Sequence, residues 1–307
     1  MAANRGRPPA RPPAQSADGA RRVATAIRDQ ERLLAAATAS AAAGIEDVHR
    51  ARVAARRLRS MLKTFRPLLE PRRARLYRVD LRSYARVLGG VREADVRRQL
   101  LTDLADRDGS IPPADRERLD ALLEDACIGA RAALHRHRGE PGWAALWAAL
   151  QRDAGSDALF VDRGATLARV LGLVVQAWRR PVRLLESRPA TAEELHELRL
   201  ALKHCRYALE PVADVAPKAT ARLLRRLRAA QDCIGEHRDA LLAEHWVRSH
   251  ERQLGRDLAM RLADQLRARE RLLRRRAARR SDKVLEAWEG WRAATRRLRK
   301  ESTPDRA

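Results

Sequence analysis

The segment VHRARVAARRLRSMLKTFRPLL, beginning at Val48, is echoed 147 residues later by LHELRLALKHCRYALEPVADV, beginning at Leu195. In register, His49 matches His196, Arg52 matches Arg199, Arg56 matches Lys203 and Arg59 matches Arg206. Further on, LGGVRE at Leu88 to Glu93 matches IGEHRD at Ile234 to Asp239 with an offset of 146, which pairs Gly89 with Gly235, Arg92 with Arg238 and Glu93 with Asp239. Two blocks that keep their spacing to within one residue predict a duplicated unit, and that unit organises the whole chain.

The unit is helical. At about 100° per residue, Val48, Ala51, Ala55, Leu58, Leu62, Phe65 and Leu69 fall on one narrow stripe, as do Leu195, Leu198, Leu202, Cys205, Leu209 and Val212 in the second copy. Such stripes face a core. Beside each runs a basic stripe: His49, Arg52, Arg56, Arg59 and Lys63 in the first copy, His196, Arg199, Lys203 and Arg206 in the second, where Glu210 ends it. The bases therefore stand at the shoulder of the core, where a neighbouring helix can face them. A solvated face normally mixes signs, and like charges at i,i+4 are destabilising. A basic shoulder with almost no carboxylate at i+4, made twice, points to an anion. The two histidines, at the N-terminal ends of these faces, are read as donors to an anionic oxygen.

Almost everything from 21 to 300 has helical periodicity, in segments near 21–43, 46–69, 72–107, 114–138, 162–187, 192–213, 217–253, 256–280 and 282–300, broken at proline and glycine. Residues 1–20 are polar and proline-rich and predict a disordered basic tail; residues 301–307 predict a frayed end. The folded part divides into halves at 21–155 and 160–300. The predicted class is all-α.

Charge narrows the function. The chain carries 64 Lys and Arg against 40 Asp and Glu, a net charge of +24. Lysine stands only at Lys63, Lys203, Lys218, Lys283 and Lys300, so arginine dominates. Codon bias accounts for arginine in place of lysine but not for the excess over carboxylates. So large a charge repels itself unless a polyanion offsets it. The three cysteines, Cys127, Cys205 and Cys233, form no CxxC pair and read as small buried apolar residues. No cofactor or metal set is expected. There is no apolar leader and no run of about 20 apolar residues, so a cytoplasmic location without membrane insertion is expected.

With these motifs in hand, the chain resembles the CHAD family, the conserved-histidine α-helical domain, over about residues 21–300. The resemblance implies two antiparallel four-helix bundles related by a pseudo-two-fold, with basic faces converging on a central groove. It also implies binding of inorganic polyphosphate and association with polyphosphate granules. Carried onto this sequence, the family's basic positions are His49, Arg52, Arg56, Arg59 and Lys63, then His196, Arg199, Lys203 and Arg206. Arg82 and Arg228 in the following helices join them, as do Arg92 and Arg238. His204 and Glu210 depart from the pattern, which implies weaker binding by the second half. The ExExK signature of the triphosphatase fused to some members is absent.

The chemistry fits on its own terms. Guanidinium forks match phosphate oxygens, charge-assisted bonds are strong, and binding should weaken steeply with salt. The alternative is a nucleic-acid binder, but single-strand binders interleave aromatics for base stacking; here Tyr207 only neighbours the basic face, and the tryptophans at 143 and 147 and at 288 and 291 are expected in cores. Catalysis is not expected: Glu93 with Asp95, and Glu236 with Asp239, read as partners for Arg92 and Arg238 instead of a metal-binding set.

Overall fold

In the computed structural model the described residues are 18–39, 45–155 and 159–300. The order is α1 (Asp18–Ala39), α2 (Ile45–Thr64), α3 (Pro71–Arg107), α4 (Pro113–Arg138), α5 (Pro141–Gly155), α6 (Leu167–Ala177), α7 (Arg179–Glu186), α8 (Ala192–Leu209), α9 (Pro217–Ser249), α10 (Glu251–Leu254), α11 (Arg256–Ala294) and α12 (Arg296–Lys300). Short 3-10 turns occupy Arg66–Leu68 and Glu210–Val212. The expected all-α class holds; the described residues include an isolated antiparallel bridge between Leu69 and Phe160.

Helix starts follow local chemistry. Proline stands at the first position of α3, α4, α5 and α9, where its missing N–H leaves no intrahelical bond unmade. The Glu70 carboxylate accepts from the Arg72 and Arg73 N–H groups to begin α3, and Thr191 with Glu194 forms a capping box on α8. Both motif helices, α2 and α8, lead through a proline-bearing 3-10 turn into a long helix.

The two apolar stripes are buried as expected: Leu58, Leu62 and Phe65 in α2, and Leu198, Leu202 and Cys205 in α8, are fully shielded from solvent. They meet in one large core that also takes side chains from α1, α3, α6, α7, α9 and the C-terminal half of α11. A second core lies at the far end of the long helices, where the last turns of α3 and α9 meet the beginnings of α4 and α11. Each core thus draws residues from both halves of the sequence, and that sharing fixes α2 against α8 and α3 against α9.

Four local details depart from the expected segments. α1 begins at Asp18, three residues inside the expected tail, because Asp18 pairs with Arg22 at 2.7 Å and the Ala20 N–H reaches the Ala165 carbonyl at 3.0 Å; a Cβ at Gly19 would run into the backbone of Thr166. Residues 1–17 and 301–307 lie outside the described residues. The stretch 162–187 is two helices, since Pro181 has no N–H and its ring crowds the carbonyl of residue 177; that freed Ala177 oxygen accepts from the Cys205 thiol at 3.2 Å. α5 fills the stretch left between the expected segments 114–138 and 162–187, and α11 runs unbroken past 281, where Ser281 packs into the core. All three cysteines are free and buried. Among the described residues no helix is long and apolar enough to cross a membrane.

Candidate polyanion-binding cleft

Where α2 lies against α8, the two basic shoulders face one another across a cleft of about 380 Å³. α2 contributes His49, Arg52 and Arg56, and α8 contributes Arg199, Lys203 and Arg206. The flanking long helices close the sides: Arg92 and Glu93 from α3, Arg238 and Asp239 from α9. These are repeat-equivalent positions, so residues that the sequence separates by nearly half its length become neighbours. The helix-shoulder location makes the bases half-buried, because the core stripe one residue away pulls each stem inward.

Burial and like charge together weaken the protonated forms. Arg52 is pulled down to about 9, by burial first and then by Arg56 and Arg199. Lys203 falls to about 5, again by burial first and then by Arg56, Arg199 and Arg52. Arg199 is lowered mainly by burial, with Asp239 opposing. His49 is lowered by burial and by Arg92, and His196 by burial and Arg238. Four shielded nitrogens in this group have no hydrogen-bond partner: the donors Arg52 Nε and Arg199 Nε, and the ring nitrogens His49 Nδ1 and His196 Nδ1. They occupy equivalent positions in the two motifs. Shielded donors without acceptors are costly, and a row of anionic oxygens would satisfy them.

Carboxylates compensate only in part. Glu93 accepts from Arg238 Nη2 at 3.4 Å, so its partner is not the adjacent Arg92 but the arginine of the other motif. Likewise Glu236 binds Arg269 of α11 at 3.1 Å instead of Arg238. Packing decides both pairings, because residues one or two apart on a helix do not face each other and the facing helix supplies the partner. Burial raises the Asp239 carboxyl, with Arg199, Arg238, Lys203 and Arg52 pulling it back. No group of three or more His, Cys, Asp or Glu among the described residues is arranged to hold a metal ion.

A family model for the CHAD domain matches residues 25–248. The chain belongs to the CHAD domain family. Its fold is similar to that of PptA from Streptomyces chartreusis, with a TM-score of 0.72 at 20% identity over 88% of this chain and 99% of that one. It is also similar to the crystal structure of the CHAD domain from the plant Ricinus communis, with a TM-score of 0.64 at 22% identity over 90% of this chain and 92% of that one. No curated protein sequence matches the chain.

The remaining basic positions carried from the CHAD resemblance lie around the cleft. Arg59 and Arg82 line an adjoining cavity of about 560 Å³ together with Arg66, Arg72, Arg75 and Arg78. Arg59 is lowered by burial and then by Arg82, Arg78 and Arg56, so it bridges the two basic clusters electrostatically. His196 stands beside the cleft, near enough to feel Arg238, Arg199 and Lys203. Lys63 and Arg228 are exposed and line neither cavity. Lys63 acts instead on His204, which burial, Lys63 and Arg78 push down to about 4 and whose Nε2 lies 3.2 Å from Thr64 Oγ1. Glu210 is bound by Arg57 at 3.1 Å, taking an arginine of the first motif's own helix.

Sequence patterns did not single out several lining groups of this CHAD domain. Tyr207 does line the cleft, yet it is buried and its ring carries the Arg206 and Arg57 guanidinium groups at 5.0 and 5.7 Å. Gln231 accepts from Arg206 Nη1 at 2.9 Å and orients it. Gly235 leaves room for Arg199, whose Nε and Nη2 would sit 3.5 Å from a Cβ there. Arg75 and Arg78 were legible in principle: with Arg82 they continue one face of α3 at helical spacing.

Proposed function

We propose that the protein is a non-catalytic binder of inorganic polyphosphate, held between the shoulders of α2 and α8. The single observation that carries this is the convergence of Arg52, Arg56, Arg199 and Lys203 in one cleft, with unpartnered side-chain nitrogens on His49, Arg52, His196 and Arg199 at matching positions. Membership of the CHAD family supports the choice of ligand. The chain enters past His49 and Arg92, runs between the facing rows, and continues by way of Arg59 toward Arg78 and Arg82. From 49 to 59 the track on α2 is about 15 Å long, enough to engage more than one phosphate. In this reading the protein's part is positioning and charge neutralisation. Association with polyphosphate granules in the cytoplasm is the location this reading implies, and a fluorescent fusion in a granule-forming cell tests it.

Selectivity over nucleic acid rests on the aromatics. A single-strand binder needs open π-faces, and Tyr207 is occupied by two guanidiniums. The deciding experiment is competition at physiological salt: labelled polyphosphate displaced by unlabelled polyphosphate, single-stranded DNA or double-stranded DNA at equal phosphate concentration. Preference for polyphosphate by about tenfold, or ~1.4 kcal/mol, supports the proposal. Equal displacement makes the protein a generic polyanion binder.

A further inference from the structure

A second basic pocket lies away from the cleft, between α9 and α11. It encloses about 370 Å³ and is lined by Arg226 from α9 and by Arg276, Arg279, Arg280 and Lys283 from α11. All five are exposed, and no carboxylate lines the pocket. Three nearby carboxylates pair elsewhere: Glu286 with Arg222, Glu236 with Arg269, and Glu270 with His237 and Arg274. The polar contact within the group is Arg280 Nη1 donating to the Ala229 carbonyl at 3.1 Å. The four on α11 stand at i, i+3, i+4 and i+7, where like charges repel one another, and Arg226 adds a fifth from α9. The cleft contains Glu93 and Asp239 to offset its bases; this pocket has nothing comparable.

The two basic surfaces share α9, but their cations stand on opposite sides of it: Arg226 in the pocket and Arg238 in the cleft. At about 100° per residue, Arg226 points roughly 160° away from the centre of the cleft-lining residues of α9, Gln231, Asp232, Gly235, Glu236, Arg238 and Asp239. A polyphosphate strand seated in the cleft therefore leaves the α9–α11 pocket free for another. No aromatic lines the pocket, and Trp288 and Trp291 on the same helix are buried, so base stacking is not offered. Forked donors on Arg276 and Arg280, a turn apart, suit phosphate oxygens directly.

We infer that this pocket is a second polyphosphate site, so that one molecule bridges two strands of the polymer. The inference rests on the function proposed above for the cleft. Because its arginines are exposed, the second site is the weaker and more salt-sensitive of the two. Its effect appears through multivalency: long chains become cross-linked by the protein, while short ones do not.

The test compares the wild type with Arg276→Glu/Arg279→Glu/Arg280→Glu. A control of equal charge change, Arg252→Glu/Arg256→Glu/Arg261→Glu, is made at exposed arginines elsewhere. Light scattering on mixing with long-chain polyphosphate should rise for the wild type and the control and stay flat for the pocket variant. The pocket variant's long-chain binding should show a salt slope shallower by roughly 2, while tripolyphosphate still binds in the cleft with wild-type affinity. Pocket and control variants that scatter alike would overturn the inference. So would single-stranded DNA displacing polyphosphate equally from a cleft-disabled Arg52→Glu/Lys203→Glu protein. Circular dichroism establishes that each variant is folded, and Arg→Gln substitutions at the same positions must reproduce the loss. Failure of the cleft reading looks different: Arg52→Glu/Lys203→Glu would then leave tripolyphosphate affinity unchanged.

Discussion

Arg238 donates to Glu93 across 3.4 Å, joining two motifs that stand 145 residues apart in the chain. The pair places a carboxylate at the mouth of the cleft, where it competes with any incoming anion for the same guanidinium. Asp239 does the same deeper in, beside Arg199 and Lys203. Both act as internal counterions for the empty protein. Asp239→Asn should therefore tighten polyphosphate binding about two- to fivefold, in line with ~0.5–1 kcal/mol for a partly exposed charge pair. Thermal stability without ligand should fall in the same variant. Isothermal titration and a melting curve read the two effects, and unchanged or weaker binding would show that Asp239 helps to hold the cleft's shape.

The central cations are predicted to be required together. Replacing Arg52, Arg56, Arg199 and Lys203 by Glu should abolish polyphosphate binding and leave helix content intact. Single substitutions to Gln should each make the salt slope shallower by roughly 0.7. A collapse of circular dichroism in the quadruple variant would mean that these side chains are structural.

Proton uptake should accompany binding. Lys203 has an ordinary value of 10.5 and is pushed to about 5 in the fold. Between those values the unfolded chain carries the proton and the empty fold does not, so stability of the empty protein rises with pH across that window. An anion in the cleft does not undo the burial, but its charge offsets the repulsion from Arg56, Arg199 and Arg52 and stabilises the ammonium, so binding draws up to about one proton from solution near neutrality. Affinity should rise as pH falls toward 5. Calorimetry in two buffers of different ionisation enthalpy measures the uptake; Lys203→Met should remove it.

Gly235 and its repeat partner Gly89 offer a paired test. Nothing lies within 4 Å of a Cβ built on Gly89, whereas one on Gly235 meets Arg199 at 3.5 Å. Gly89→Ala should stabilise α3 by up to ~1 kcal/mol, the ordinary helix preference, without touching binding. Gly235→Leu should displace the Arg199 guanidinium and weaken polyphosphate binding at unchanged helix content. Equal binding by both variants would show that Arg199 is not held where the ligand needs it.

One stability prediction concerns the core. Trp291 Nε1 donates to Thr220 Oγ1 at 3.0 Å, both residues being buried. Thr220→Val keeps the shape and leaves the indole N–H unsatisfied, at a cost of about 1–3 kcal/mol. Denaturant melts would show it, and polyphosphate affinity should not change.

Much of this molecule is legible in its sequence because the governing rules are local. Apolar residues at helical spacing had to be buried, so Leu58, Leu202 and their neighbours could be assigned to the core before any contact was known. A basic row one residue off that stripe had to stand at the core's shoulder, and the repetition of the row marked His49, Arg52, Arg56 and their counterparts as a set. Proline at Pro71, Pro113 and Pro217 marked helix starts correctly for the same reason, a missing N–H.

Tertiary packing decided what the periodicity left open. Arg56 enters the cleft while Arg59, one turn on, lines the neighbouring cavity, because the crossing of α2 over α8 separates the rows within a few residues. Glu93 and Glu236 took partners from facing helices and not from nearby arginines of their own helix. The pocket of Arg226 and Arg276 requires α9 and α11 to lie side by side, which neither helix encodes alone. The sequence by itself determined which faces are apolar and which are basic, since that depends only on 3.6 residues per turn. Only the tertiary structure decided which bases share one anion site, since that depends on how buried faces from distant segments fit together.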